Sequence, residues 1–334
     1  MLTVTPGIRP SVPTAALAAT ALPDWRTADP TSPVVAALLA DPGYAAPIGA
    51  DCDEPIDRQI LYDFCLMPYA AQPNPRRRAQ SVVALQHSFS LMNVGAEGRA
   101  LVERLIAVLG PQCTVWGVKN RPGSDDLWWE FYFYRRDHVP PQLSLDLVRP
   151  AFAPMVIDAQ PPADMAWTFF SLEVTVAHLR CERPLHVRLY QEGVDLSWSV
   201  RGRHLELENH YRHFEVDGQT PQLLAALATS VHAPRHPRTL ARLIPPQLHQ
   251  AWRIWLARKR NGDTIYFQRV HVAQVAWLMR RHRWPLAFAQ WFEAAAPFLQ
   301  HVQFDLGVDF ARSDTSIDGE PPITFGKTGV YATF

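Results

Sequence analysis

The stretch Val115–Arg136, VWGVKNRPGSDDLWWEFYFYRR, constrains the fold of this chain more than any other. Two extended runs flank Arg121-Pro122-Gly123-Ser124-Asp125, where Pro, Gly, Ser and Asp together specify a turn, so the stretch reads as a hairpin. The second run alternates, with Trp129, Phe131 and Phe133 on one face and Trp128, Glu130, Tyr132 and Tyr134 on the other. The first face is apolar and suits burial beneath a helix. The second joins aromatic rings to polar tips, which is expensive in a dry core and unusual on a surface. It suits the lining of a wet or ligand-filled cavity. A solvated strand face is the plainer alternative, and recurrence of the pattern argues against it.

The pattern does recur. In Thr168–Ala177, Phe170, Leu172, Val174 and Val176 oppose Ser171, Glu173 and Thr175; in Pro184–Gln191, Leu185, Val187 and Leu189 oppose His186, Arg188 and Tyr190. Leu196–Val200 can continue this sheet. A further hairpin pairs Arg253–Arg260 with Thr264–Val272 across Asn261-Gly262-Asp263. Val302–Phe310 and Ile323–Phe334 form the last pair, and Arg58–Leu66 is expected as a strand. Helices are expected at Pro33–Leu39, Ala79–Leu91, Glu97–Leu109, Gln142–Phe152, residues 221–252 with proline breaks, and Ala273–Leu299.

Strand pairs separated by helices, about four times over, do not make a doubly wound parallel sheet. They predict an α+β fold, an antiparallel β-barrel surrounded by helices with polar residues inside. Residues 1–33, rich in Pro, Ala and Thr, read as a flexible arm, and 34–334 as one domain.

Lys+Arg and Asp+Glu both number 32, which argues against a nucleic-acid binder or an anionic-membrane binder. No uninterrupted apolar run reaches the ~18 residues of a membrane span, and the N-terminal region lacks a basic signal-peptide segment, so a cytoplasmic location is expected. Cys52, Cys65, Cys113 and Cys181 are scattered and read as reduced thiols. Dinucleotide, P-loop, nucleophile-elbow and zinc-protease motifs are absent, and Asp125-Asp126 reads as part of a turn.

Four places resemble the ABBA-fold prenyltransferases, whose name describes repeated helix–strand–strand–helix units closing into a barrel. The nearest likeness is to the cyanobactin-type peptide prenyltransferases. The places are Gly49-Ala50-Asp51-Cys52-Asp53-Glu54; Trp116-Gly117-Val118 with Ser124-Asp125-Asp126-Leu127 and the strand ending in Arg135-Arg136-Asp137; Arg258-Lys259-Arg260 with Thr264-Ile265-Tyr266-Phe267; and Ile323 to Tyr331.

The resemblance implies transfer of a dimethylallyl or geranyl group from its diphosphate to a nucleophilic side chain of a peptide, with magnesium bound through the diphosphate. It implies Glu54 as the catalytic acid. A leaving diphosphate needs converging cations, and Arg58, Lys119, Arg258 and Lys327 offer one per strand pair. Tyr132, Tyr190, Tyr266 and Tyr331 are the expected carbocation shield. Trp128, Glu130, Arg188 and Trp255 are expected in the substrate pocket. There Glu130 would receive a cationic acceptor or an indole N–H, and the bulk of Trp255 would favour a five-carbon donor. The alternatives are an ABBA enzyme acting on a small aromatic such as indole or a phenol, and a non-catalytic barrel that binds a hydrophobic ligand.

Overall fold

The computed structural model describes residues 60–71, 78–181, 183–233, 242–313 and 323–334. The N-terminal arm, the Pro33–Leu39 helix, Cys52, Glu54 and Arg58 lie outside the described residues.

Ten strands close into a ring: β3 (Val115–Asn120), β4 (Leu127–Tyr134), β5 (Trp167–Val174), β6 (His186–Gln191), β7 (Leu196–Arg201), β8 (His204–Glu215), β9 (Arg253–Arg258), β10 (Asp263–His271), β11 (Gln303–Arg312) and β12 (Ile323–Thr333). Every neighbouring pair is antiparallel, and β12 returns to pair with β3 through Tyr331↔Gly117 and Thr333↔Val115. Side chains therefore alternate between the lumen and the outer surface.

The outer surface is where the apolar set goes. Trp116, Val118, Trp129, Phe131, Phe133, Phe170 and Leu172 are all completely buried. Helices α1 (Val82–Leu91) and α2 (Gly95–Leu109) cover part of it. Phe89 of α1 packs on Trp129 at 4.5 Å, and Ser88 Oγ accepts the Trp129 indole N–H at 2.8 Å, which satisfies the one polar atom that burial would otherwise strand. Helices α6 (Val272–Arg281) and α7 (Leu286–Ala295) cover another part, with Phe292 edge-on to Phe304 of β11 at 5.4 Å. No helix among the described residues is long and apolar enough to cross a membrane.

The structure corrects several boundaries. There are five strand pairs, not four, because β8 completes the ring between β7 and β9. In the described part of the expected Arg58–Leu66 strand, residues 60–66, Ile60–Tyr62 is extended and a turn follows. It forms β1, which pairs with β2 (Pro68–Ala70) as a separate two-stranded hairpin. Val176, expected at the end of β5, instead begins α4 (Val176–Arg180), because the Thr175 side chain caps that helix. Gln142–Phe152 yields only α3 (Leu145–Val148) and a 3-10 turn. The helical stretch expected over residues 221–252 starts earlier, as α5 (Val216–Ala228); residues 242–243 are again helical, Pro246–Leu248 is a 3-10 turn, and 234–241 lie outside the described residues.

Two glycines decide how closely the lumen rings approach the barrel wall. A Cβ at Gly117 would lie 2.5 Å from the Tyr331 ring, and one at Gly307 would lie 2.9 Å from the Tyr266 ring. Without side chains there, both tyrosines rest against the backbone of a neighbouring strand.

Candidate functional site

The lumen holds two cavities of opposite character. One, of about 670 Å³, opens among the β7–β8, β9–β10 and β11–β12 connections and is lined by six cationic and five acidic side chains. The other, of about 410 Å³, opens beside the β6–β7 turn and is largely aromatic. They abut at Tyr211 and Tyr266, which line both.

At the charged end, register brings together a cluster drawn from four strands. Glu130 faces Glu173 across β4–β5, and Ser171 faces Arg188 across β5–β6. Glu130 Oε1 accepts from Ser171 Oγ at 2.5 Å and Arg188 Nη1 at 2.6 Å; Oε2 accepts from the Tyr132 hydroxyl at 2.7 Å and from Lys119 Nζ. Burial would push the Glu130 carboxyl up, but Lys119 and Arg188 override it and hold it well below its ordinary range. Burial likewise works against the Lys119 ammonium, and Glu130 and Glu173 reverse that and hold it above its ordinary range. Arg188 also forks onto Glu208; burial raises that carboxyl, but the guanidinium wins and takes it down to about 2. Each ion here has an opposite partner, and with two cations to three carboxylates the cluster leaves no positive charge free.

A second group lies across the same cavity. Asp309 of β11 accepts from Lys259 Nζ at 3.0 Å and from Thr264 Oγ1, and its other oxygen is 4.0 Å from Lys327 Nζ. Lys327 is different in kind. Repulsion from Lys119, then burial, then repulsion from Lys259 lower its pKa to about 8 despite Asp309. It sits in a surplus of positive field, which is what an arriving anion would relieve.

Between the cavities lies a nest of rings. The β1–β2 turn carries Phe64 into the barrel, where its ring centroid is 4.8 Å from Tyr132, 4.9 Å from Tyr331 and 6.0 Å from Tyr266. The turn is pinned by two buried carboxylates. Asp305 accepts from the backbone N–H of Phe64 at 2.8 Å and of Arg269 at 3.0 Å. Asp63 accepts from Arg269 Nε at 2.8 Å, Gln268 Nε2 at 2.9 Å and the Cys65 N–H at 2.9 Å. Burial and the nearby Asp63 raise the Asp305 carboxyl well above its ordinary range.

Of the expected site residues, Lys119, Lys327, Glu130, Arg188, Tyr266 and Tyr331 line the charged cavity, and Tyr190, Trp255 and again Tyr266 line the aromatic one. Tyr132, Tyr266 and Tyr331 do gather, around Phe64. Tyr190 stands apart from them, stacked on Phe169 at 3.6 Å.

Three expectations fail. Arg258 points out of the barrel and donates to the Ala226 carbonyl at 2.6 Å and the Thr229 carbonyl at 3.3 Å, at the end of α5, where a cation is favoured. Its neighbour Lys259 is the inward cation, because one position along a strand reverses the face. Glu130 has four donors on its two oxygens and offers nothing to an acceptor substrate. Trp128 lines neither cavity; it lies 5.7 Å beneath the Arg121 guanidinium at the barrel rim.

Phe64, Tyr211 and Asp309 were not singled out by sequence. The alternating spacing of Tyr266 and Thr264 against Asp309 could have found the last, since those strands pair. Among the described residues no group of three or more His, Cys, Asp or Glu side chains is placed to hold a metal ion. Asp309 and Glu173 do present carboxylate oxygens to the cavity, donors that suit magnesium as a companion of a bound phosphate. No protein-family model and no curated protein matches the sequence.

Proposed function

We propose that this protein is an ABBA-type prenyltransferase that moves a dimethylallyl or geranyl group from its diphosphate to a nucleophilic peptide side chain. Five strand pairs with helices before β3–β4, β5–β6, β9–β10 and β11–β12 support the repeat; β7–β8 follows its predecessor directly and departs from it. The observation that carries the reading is Lys327, an under-neutralised cation in a charged cavity that also contains Tyr331 and Tyr266. An anion receptor abutting buried π-faces is the arrangement that ionising an allylic diphosphate requires.

In this reading Lys327 and Lys259 take up the charge that develops on the leaving diphosphate, with Lys119 behind them. Tyr266 and Tyr331 face the electron-poor allylic carbon and keep water from it, with Tyr132 packed behind them against Phe64 and Tyr331. Magnesium, carried by the diphosphate, would supply further positive charge to the leaving group.

The test is isothermal titration of a non-hydrolysable dimethylallyl diphosphate analogue with magnesium into wild type and Lys327→Ala. We expect binding by wild type and a loss of at least about tenfold in the variant, equivalent to about 1.4 kcal/mol. A folded wild type that binds neither this analogue nor its geranyl counterpart would overturn the reading.

A further inference from the structure

The charged cavity contains a pair of side chains that prenyl transfer leaves idle. His186 of β6 and Ser199 of β7 both line it, and His186 Nε2 lies 2.9 Å from Ser199 Oγ. At that separation an imidazole can take the proton of a hydroxyl as it attacks an electrophile. Register makes the pairing. Arg188 faces Ser199 across β6–β7, and His186 stands two positions before Arg188, so strand parity turns all three side chains into the lumen. Both members of the pair are half-buried, held by the wall and still in contact with the cavity.

The surroundings of the ring suit a base. Burial, then repulsion from Arg188, lower the His186 pKa, so the imidazole is uncharged at neutral pH. The carboxylates of Glu208, Glu173 and Glu130 pull the other way and stabilise the imidazolium once a proton arrives. Glu173 is the cross-strand partner of His186 on β5. Two positions beyond Ser199, on the same face, Arg201 also lines the cavity. Arg188 is committed to Glu130 and Glu208, whereas among the described residues no carboxylate lies within ion-pair distance of Arg201. A cation so placed can receive an anionic group on a substrate whose reacting carbonyl lies at Ser199.

We propose that Ser199 and His186 form a second catalytic centre, a serine nucleophile with its base, which hydrolyses esters whose acyl part carries a negative charge. Ser199 Oγ bonds to the ester carbonyl carbon as His186 Nε2 takes its proton. The carbon–oxygen bond to the alcohol then breaks, and His186 gives the proton to the departing oxygen. Water repeats the sequence on the acyl-serine, passing a proton to His186, and releases the acid and free Ser199. This activity goes beyond prenyl transfer and needs neither Lys327 nor Lys259.

The experiment uses the full chain and two esters, the 4-nitrophenyl monoester of succinate, which carries a carboxylate, and neutral 4-nitrophenyl butyrate. Wild type should hydrolyse the succinate ester with kcat/KM at least about tenfold above the butyrate, as expected of one charge-assisted contact. Ser199→Ala and His186→Gln should each lower the rate by at least about a hundredfold, the size of a lost nucleophile or base. Arg201→Gln should bring the succinate ester down to the level of the butyrate. Circular dichroism melts check that each variant is folded. Independently of any variant, wild type treated with diisopropyl fluorophosphate should carry the label on Ser199 by peptide mass spectrometry. Hydrolysis undiminished in folded Ser199→Ala, or a wild type whose Ser199 takes no label, would overturn the second centre. A preference for succinate that survives Arg201→Gln would overturn the anionic substrate class. Binding of the dimethylallyl diphosphate analogue is read separately, so either reading can fail alone.

Discussion

The two ends of the lumen are held open and shut by contrasting means. At the charged end, Glu130, Lys119, Arg188 and Glu208 neutralise one another, while Lys327 across the cavity has a carboxylate only at 4.0 Å and like charges on two sides. At the aromatic end the wall is built of stacked rings, and the chain sets one of its own side chains at the inner limit of that cavity. Phe64 sits among the tyrosines, and buried carboxylates hold its turn in place. One end is completed by charge and has a gap in the account; the other is completed by a side chain. Burial alone therefore does not identify a site. Lys119 is more deeply buried than Lys327 and already bonded to two carboxylates, whereas the more exposed Lys327 is the one whose environment calls for a ligand.

Mutation of the matched cluster should break the contrast most strongly. Lys119→Met leaves Glu130 short of a partner in a dry setting, and losing one member of a buried pair costs about 3–5 kcal/mol. Urea unfolding should report a loss of that order, and a loss under about 1 kcal/mol would mean the cluster is wet. Phe64→Ala tests the other end. The ring is half-buried, so removing it should cost about 2–3 kcal/mol, below the range for a fully enclosed phenylalanine. It should also deepen the aromatic cavity, so that geranyl analogues gain on dimethylallyl ones. An unchanged preference would show that the plug does not bound the donor chain.

The smallest effect sharpens the comparison by its sign. Lys327 has its folded-state pKa lowered from 10.5 to about 8, so between those values the unfolded chain holds the extra proton. Its contribution to stability is unfavourable below that window and is relieved as pH rises through it. Wild type should therefore gain stability relative to Lys327→Met between pH 7.5 and 10 in urea titrations. A parallel pH course for the two proteins would remove the evidence for an excess of positive field.

Much of the barrel was legible because its outer face is apolar at alternate positions, as in Trp129, Phe131 and Phe133, and such a stripe has one reading. β8 was not legible. Its sequence, HLELENHYRHFE, is polar on both faces, with Glu206 and Glu208 toward the charged cavity and several outer positions exposed, so no buried stripe marks it. The site was half visible. Inward tyrosines follow from strand parity, but parity depends on register, and a shift of one put Arg258 on the inside in place of Lys259. The four donors on Glu130 come from four strands spread over positions 119 to 188, and no local pattern shows such convergence. Phe64 lies in a five-residue turn whose entry into the barrel depends on Asp305, more than two hundred positions away by a separation of 241.

The seam between β3 and β12 matters before the protein is complete. Trp116 donates its indole N–H to the Thr333 carbonyl across 217 positions, and Ser81 bonds the same carbonyl across 252. Contacts so distant in sequence are slow to form, since the intervening chain must first be gathered. During synthesis, β3 is therefore left with one unpaired edge until residues 323–333 have emerged, and β11 with another. Bare edges of that kind invite pairing with other chains. Loss of this one strand would turn a ring without edges into an open sheet with two, so the cost of a truncation there would appear as self-association as much as lost activity.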